Sequence, residues 1–312
     1  MTSIATRLLP TGLFALGVLA VIGIIFATQW YFVSRPQRAT RDRGLLREPG
    51  RALRRRLDAV DHRLVGAAVG LPVTLVLWFL SYGRALHDTG GYGVFALAAA
   101  GVIALGWFAQ EILHLWPERI RLVRAIDAQM ITAQSLNLLM RSDYWVFHDV
   151  HIGEHRINHV VMGPRGVFCV DTRWRRPRRQ LTWKGLAPAP RADAAFDGRL
   201  LRFPGWEEAD AYEDVVAQAR WLGAWLTKKA GEDVPAHAAI ALPGWRVVST
   251  DWKRVIVFNP ATPNMLVQGG QDSRLDASVA RDLVKQLQRH CREHADTRVR
   301  RHRRRRGNVH AT

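Results

Sequence analysis

Cysteine is nearly absent from this chain: 312 residues hold two, Cys169 and Cys291. They lie far apart and form no spacing pattern, which excludes a disulfide framework and suits a reducing compartment. Acidic residues are few beside basic ones, 27 against 45, and the net charge of +18 is carried almost entirely by arginine. Such an excess fits a partner with phosphates, either nucleic acid or anionic lipid head groups. No glycine-rich loop followed by Lys-Ser/Thr occurs, so the signature of phosphate-loop enzymes is missing. No Ser-His-Asp set stands out. His151-Ile-Gly-Glu154-His155 spells H-x-x-E-H, and His159 follows four residues later. A zinc peptidase needs that motif on a helix, where both histidines share a face. Gly153 and its β-type flanks make it a hairpin tip instead, with surface polar residues.

Long apolar runs are present. Residues of about 12–33, 64–81 and 92–113 are long and apolar enough to match a bilayer core of roughly 30 Å. Trp30 and Tyr31 stand where an interfacial aromatic belt belongs, and Pro72 is tolerable as a kink. The connection 34–63 holds a dense set of arginines, among them Arg35, Arg38, Arg41, Arg43, Arg54, Arg55 and Arg56. The N-terminal tail offers only Arg7, and the loop 81–91 only Arg84. By the positive-inside rule the 34–63 loop is cytoplasmic and lies against anionic lipid. Three spans then put the N-terminus outside and everything after Trp116 inside. The expected organisation is a membrane region 1–116, an α/β domain 117–296 and a basic tail 297–312. The setting implied is a bacterial inner membrane.

Residues 118–140 carry apolar positions near a 3.6 period and predict a helix. Strands are expected over 145–150, 157–162 and 167–171, with turns at 153–156 and 163–166, where glycine and proline supply tight geometry. A basic loop, 175–179, leads to a strand at 181–183. Residues 186–196 read as a surface excursion, and 200–203 as a strand pairing with 181–183. A helix over 211–230, strands at 237–242, 255–258 and 265–267, and a last helix over 276–290 capped by Asp276 complete the domain. This order argues for helices around a mixed sheet. The tail from Arg298 is too charged to fold alone and is expected to be disordered.

The third strand, GVFCVDT, is apolar enough to be central, and it delivers Asp171 and Arg173 at its end. Side chains two apart on a strand share a face, so these two project together, and Asn158 on the neighbouring strand faces them.

YWVFHDVHI followed by RINHVVMGPRGVFCVDTR resembles the nuclease-related domain family, NERD, over about residues 128–173, with weaker likeness beyond. That family is grouped with the PD-(D/E)XK, restriction-endonuclease-like nucleases. The resemblance implies a mixed sheet flanked by helices and a Mg-dependent phosphodiesterase site, with two acids holding the metal and a lysine two positions after the second acid. Carried over, the first acid falls on Asn158, the second on Asp171 (the one metal ligand if active), and the lysine on Arg173. Asn158 brings no negative charge, and an arginine stays protonated and cannot serve as a base. Gln129 and Met130 stand where a helical glutamate is expected, and Gln218 is the counterpart of the family's later glutamine. The residues thus point to a degenerate nuclease fold binding nucleic acid or a partner protein. Arg173, Arg175, Arg176, Arg178 and Arg179, with Gln218, would contact phosphates. The alternative is an active metal-dependent DNA endonuclease or exonuclease with a variant Asn158/Asp171/Arg173 site.

Overall fold

The computed structural model describes residues 49–88, 91–153, 155–176, 181–182, 185–186, 192–209, 212–249, 254–268 and 275–309. Of the residues described, one compact unit holds 54–123 and the other holds 49–53 and 124–309. The apolar run expected at 12–33 lies outside the described residues.

In the first unit, helix α1 (Arg51–Asp88) runs beside the first part of α2 (Gly91–Asn137). Val60, Leu64 and Leu115 pack together, and Arg119 Nε donates to Asp61 Oδ1 at 2.7 Å. Among the described residues two helices, not three, are long and apolar enough to cross a membrane by length and composition. Their apolar windows are only 22% and 11% buried, with Leu77, Phe95, Ile103 and Leu113 exposed. Both helices outrun the expected spans. Pro117 was expected to open a new element, yet it lies inside α2. A proline removes one helical N–H, and the strong helix formers on either side carry the backbone through.

The second unit is an α/β domain. Strands β1 (Trp145–Ile152), β2 (His155–Gly163) and β3 (Gly166–Thr172) form an antiparallel meander. Then come the short β4 (Leu181–Thr182), β5 (Gly185–Leu186), β6 (Asp193–Phe196), β7 (Leu201–Phe203) and β8 (Trp206–Glu208). Helix α3 (Glu213–Ala230) crosses to β9 (Ala236–Ala241), which lies parallel to β3. Strand β10 (Arg246–Ser249) and β11 (Ile256–Phe258) follow, and β11 is parallel to β9. Two helices end the chain, α4 (Asn264–Gln268) and α5 (Ala277–Val309). The main sheet has the order β1-β2-β3-β9-β11 and is mixed; a second sheet has the order β10-β6-β7-β8.

Both faces of the main sheet are covered, which is why β3 and β9 read as near-continuous apolar runs. On one face Leu136 and Leu139 meet Val161, Phe168, Val170, Ala239 and Phe258. On the other, Val215, Leu222 and Leu226 of α3 and Leu283 and Leu287 of α5 pack on Val160, Met162, Cys169 and Ile240. Gly223 lets α3 approach closely: a Cβ there would sit 3.2 Å from the Ala236 backbone nitrogen.

Several expectations need correction. Leu181–Thr182 pairs with Gly185–Leu186, not with the 200–203 segment, which joins β6 and β8 instead. The 186–196 excursion contains β6, and β10 was not foreseen. These strands are too short to show a period of two. Residues 265–267, expected as a strand, fall in α4. Pro263 precedes this helix, and the Thr262 carbonyl accepts from Met265 N–H. Asp276 does cap α5, its Oδ1 accepting from Ser278 N–H at 3.1 Å. That helix continues through residues 297–309, where disorder was expected. Arginine is among the better helix formers, so its charge does not end the helix.

Candidate functional site

Strand β3 is hydrogen-bonded on both sides, antiparallel to β2 and parallel to β9. Arg173 N–H donates to Ala241 O at 3.0 Å, so the ladder holds the chain for one residue past the strand. The pairing with β2 starts at His159 opposite Val170. Asn158 and Asp171 are the next residues outward, where the two strands part. There Asn158 Nδ2 donates to Asp171 Oδ1 at 2.6 Å, and Arg173 Nε donates to Asp171 Oδ2 at 2.8 Å. The Asp171 and Arg173 side chains are 19% and 14% exposed. Arg173 uses only Nε; its two Nη groups have no partner among the described residues.

One step away, Asp149 has φ +51°, a left-handed conformation unusual inside a strand. It has a consequence for packing. Phe147 and Val150 both enter the same core cluster although three residues apart, and so do Ile157 and Val160 across from them. Residues three apart on a regular strand face opposite ways. The turnover at Asp149 resets the alternation and buries its carboxylate, which takes Arg156 Nε at 2.5 Å. Arg156 Nη2 is buried without a hydrogen-bond partner among the described residues.

On the α2 side of the sheet lies a buried polar chain. Asn137 Oδ1 and His148 Nε2 are 3.2 Å apart, His148 Nδ1 and His159 Nδ1 2.8 Å, and His159 Nε2 and Thr172 Oγ1 3.1 Å. The amide oxygen only accepts, so His148 carries its proton on Nε2. His159 then donates from Nδ1 and accepts from Thr172. Every group is satisfied with both rings neutral. Burial pushes His148 down to about 4. It also holds His159 well below the usual histidine range, with the Arg156 charge, and that of His148 whenever it is protonated, adding to the effect.

At the carboxyl ends of the parallel strands β3, β9 and β11 opens a cleft of about 420 Å³. Trp174 follows β3, Pro243 and Gly244 follow β9, and Asn259 and Ala261 follow β11. Arg124, Asp127, Ala128, Ile131 and Ser135 of α2 form the opposite wall. Open α/β sheets bind ligands at this edge.

The model of the family described as the nuclease-related domain, NERD, matches residues 125–243. This segment is a nuclease-related domain. No curated protein and no solved structure matches the chain. The NERD segment takes in the meander, Asp149, the Asn158/Asp171/Arg173 trio and α3.

Among the described residues, the Asn158/Asp171/Arg173 trio does not fit a magnesium ion. Magnesium wants carboxylate oxygens and its own waters. Here Asp171 is the lone acid of the trio, both its oxygens already accept, and a guanidinium stands 2.8 Å away. The other acids are engaged or remote: Asp149 with Arg156, Asp193 with both ends of Arg246, and Glu213 and Asp214 on the exposed first turn of α3. Among the described residues no three His, Cys, Asp or Glu converge. The apparent zinc motif is scattered too. His151 Nδ1 donates to Asp149 O, the His155 ring packs against Trp221, and His159 belongs to the buried chain. Glu154 lies outside the described residues.

The arginines divide. Arg175 is held by Glu208 through two hydrogen bonds, at 2.5 and 2.9 Å, so it has little left for a phosphate. Arg176 is exposed, and Arg178 and Arg179 lie outside the described residues. Gln218 sits half-exposed on α3 and makes no hydrogen bond to the trio. Neither His148 nor Asp149 stood out in the sequence as a site residue. A polar pair inside an otherwise apolar strand, facing a second His across a short hairpin, was the available signal.

Proposed function

We propose that the chain is a membrane-anchored protein whose nuclease-related domain binds nucleic acid through its phosphates and does not hydrolyse it. The observation that carries this reading is the Asp171 carboxylate, engaged on one oxygen by Asn158 and on the other by Arg173. An aspartate so held orients a guanidinium rather than a metal. Arg173 leans on it by Nε alone, and its Nη donors make the fork that suits a phosphate. Arg176, Arg178 and Arg179 extend the positive charge, with Gln218 as a polar contact. The domain, residues 117–296, lies on the cytoplasmic side of a bacterial inner membrane. Spans at about 12–33, 64–81 and 92–113 anchor it, and the basic tail 297–312 rests on anionic lipid. The two apolar helices and the arginines of the 34–63 loop support this arrangement.

The test uses the full chain in detergent, incubated with labelled DNA in Mg²⁺ or Mn²⁺ and in chelator. Retention that falls steeply with salt is expected, and Arg173→Ala should weaken it and lower the salt slope by about one. Cleavage that requires metal and is lost in Asp171→Ala would establish a metal-dependent nuclease and overturn the proposal. With neither cleavage nor retention, the nucleic-acid reading fails and a protein partner takes its place.

A further inference from the structure

We infer that the cleft at the carboxyl ends of β3, β9 and β11 receives one unstacked base of a single-stranded nucleic acid. The inference rests on the nucleic-acid reading above and goes beyond it in naming the strand form and the residues that select it.

At about 420 Å³ the cleft has the size of a small-molecule site. It is large enough for one nucleotide unit, and a base would reach it by leaving its stack. Its chemistry suits a flat heteroaromatic ring. The Trp174 indole is half-buried and has no ring or hydrogen-bond partner among the described residues. Ala128, Ile131, Pro243 and Ala261 complete an apolar slot around it. Polar groups line the same space: Arg124 and Asp127, neither of them in an ion pair among the described residues, and the Ser135 hydroxyl. Asn259 commits its Oδ1 to Ala261 N–H at 2.9 Å, which leaves its Nδ2 as a donor. Donors and acceptors together match the mixed edge of a nucleobase.

Position supplies the second argument. Trp174 directly follows Arg173, whose Nη groups are uncommitted. By strand alternation Arg173 shares its face with Asp171 and Cys169, on the α3 side, while Trp174 lines the cleft against α2. A strand crossing the carboxyl edge of the sheet therefore meets a phosphate donor and a stacking ring on consecutive residues. Stacking on an aromatic residue tolerates any base, since every base has a π-face.

The experiment measures fluorescence anisotropy of a labelled oligonucleotide, single-stranded or annealed to its complement, with the full chain in detergent. The single strand is expected to bind roughly tenfold tighter than the duplex. Trp174→Ala should remove that margin, while Trp174→Phe should keep most of it. Ala261→Trp, placed to fill the slot, should act like Trp174→Ala, with the thermal midpoint checking that each variant is folded. Equal affinity for the two forms overturns the inference and leaves the phosphate reading standing, as does a single-strand preference untouched by Trp174→Ala and Ala261→Trp. If deoxyadenosine monophosphate competes as well as the oligonucleotide, the ligand is a free nucleotide and the strand is overturned. If neither form binds, the nucleic-acid reading falls with the inference.

Discussion

Asn158 and Arg173 each donate to a different oxygen of Asp171, and the bonds differ in what they leave over. The amide neutralises nothing, whereas the guanidinium cancels the carboxylate's charge and keeps its own outer donors. Restoring acid and lysine at these positions is therefore a direct experiment. The native chain is expected to show no Mn²⁺-dependent change in thermal midpoint. The variant Asn158→Asp with Arg173→Lys should gain one, because two adjacent carboxylates repel until a cation joins them. At a metal concentration about 100 times Kd the linkage is worth about 2.7 kcal/mol. A flat midpoint in that variant would mean that the trio alone does not make the site, and that an acid at Gln129 or Met130 is also needed.

Between elements, the chain from Asn137 through His148 and His159 to Thr172 joins the end of α2 to three strands. Its pH dependence has a definite sign. Both histidines are neutral when folded, and unfolded histidines titrate near 6.5. The unfolded state thus takes up protons first. Stability is complete above about pH 6.5 and falls as pH drops toward 4, by on the order of 3 kcal/mol from His148 alone. Thermal midpoints of the native chain and of the His148→Gln, His159→Gln variant, compared across that range, check it. The variant should be less stable at neutral pH and show a flatter profile. Parallel curves would sink the assignment. This network also marks the limit of what the sequence could reveal. The meander was legible because Gly153, Gly163 and Gly166 punctuate apolar runs, and with it the meeting of Asn158, Asp171 and Arg173. The left-handed turnover at Asp149 was not, since nothing local requires an aspartate to adopt φ +51°. Its carboxylate meets Arg156, seven residues on and across the hairpin. Nor was the occupation of Arg175, whose partner Glu208 lies 33 residues away. A basic cluster in sequence shows charge and hides its counter-charges. The short strands β5, β6, β8 and β10 escaped for a plainer reason: two to four residues carry no period.

For the whole molecule, the two apolar helices and the +18 charge make separable demands. A protein held only by charge leaves membranes in high salt or alkaline carbonate, and one held by apolar spans needs detergent. The chain is expected in the pellet after both washes and in solution after detergent. Release by salt alone would contradict the anchor. The two thiols add a consequence of another kind. Neither forms a disulfide, and both lie within the core that α3 and α5 close over the sheet. Burial, with the nearby Asp171 charge, also pushes the Cys169 thiol up, away from its reactive thiolate form. A thiol-specific reagent should leave the native protein unlabelled and mark it only in moments when that core opens. The labelling rate at excess reagent then measures the opening equilibrium of the α/β unit directly, inside a detergent micelle where conventional denaturants are hard to interpret. The near-absence of cysteine thus gives the protein its own clock for unfolding, with no residue added.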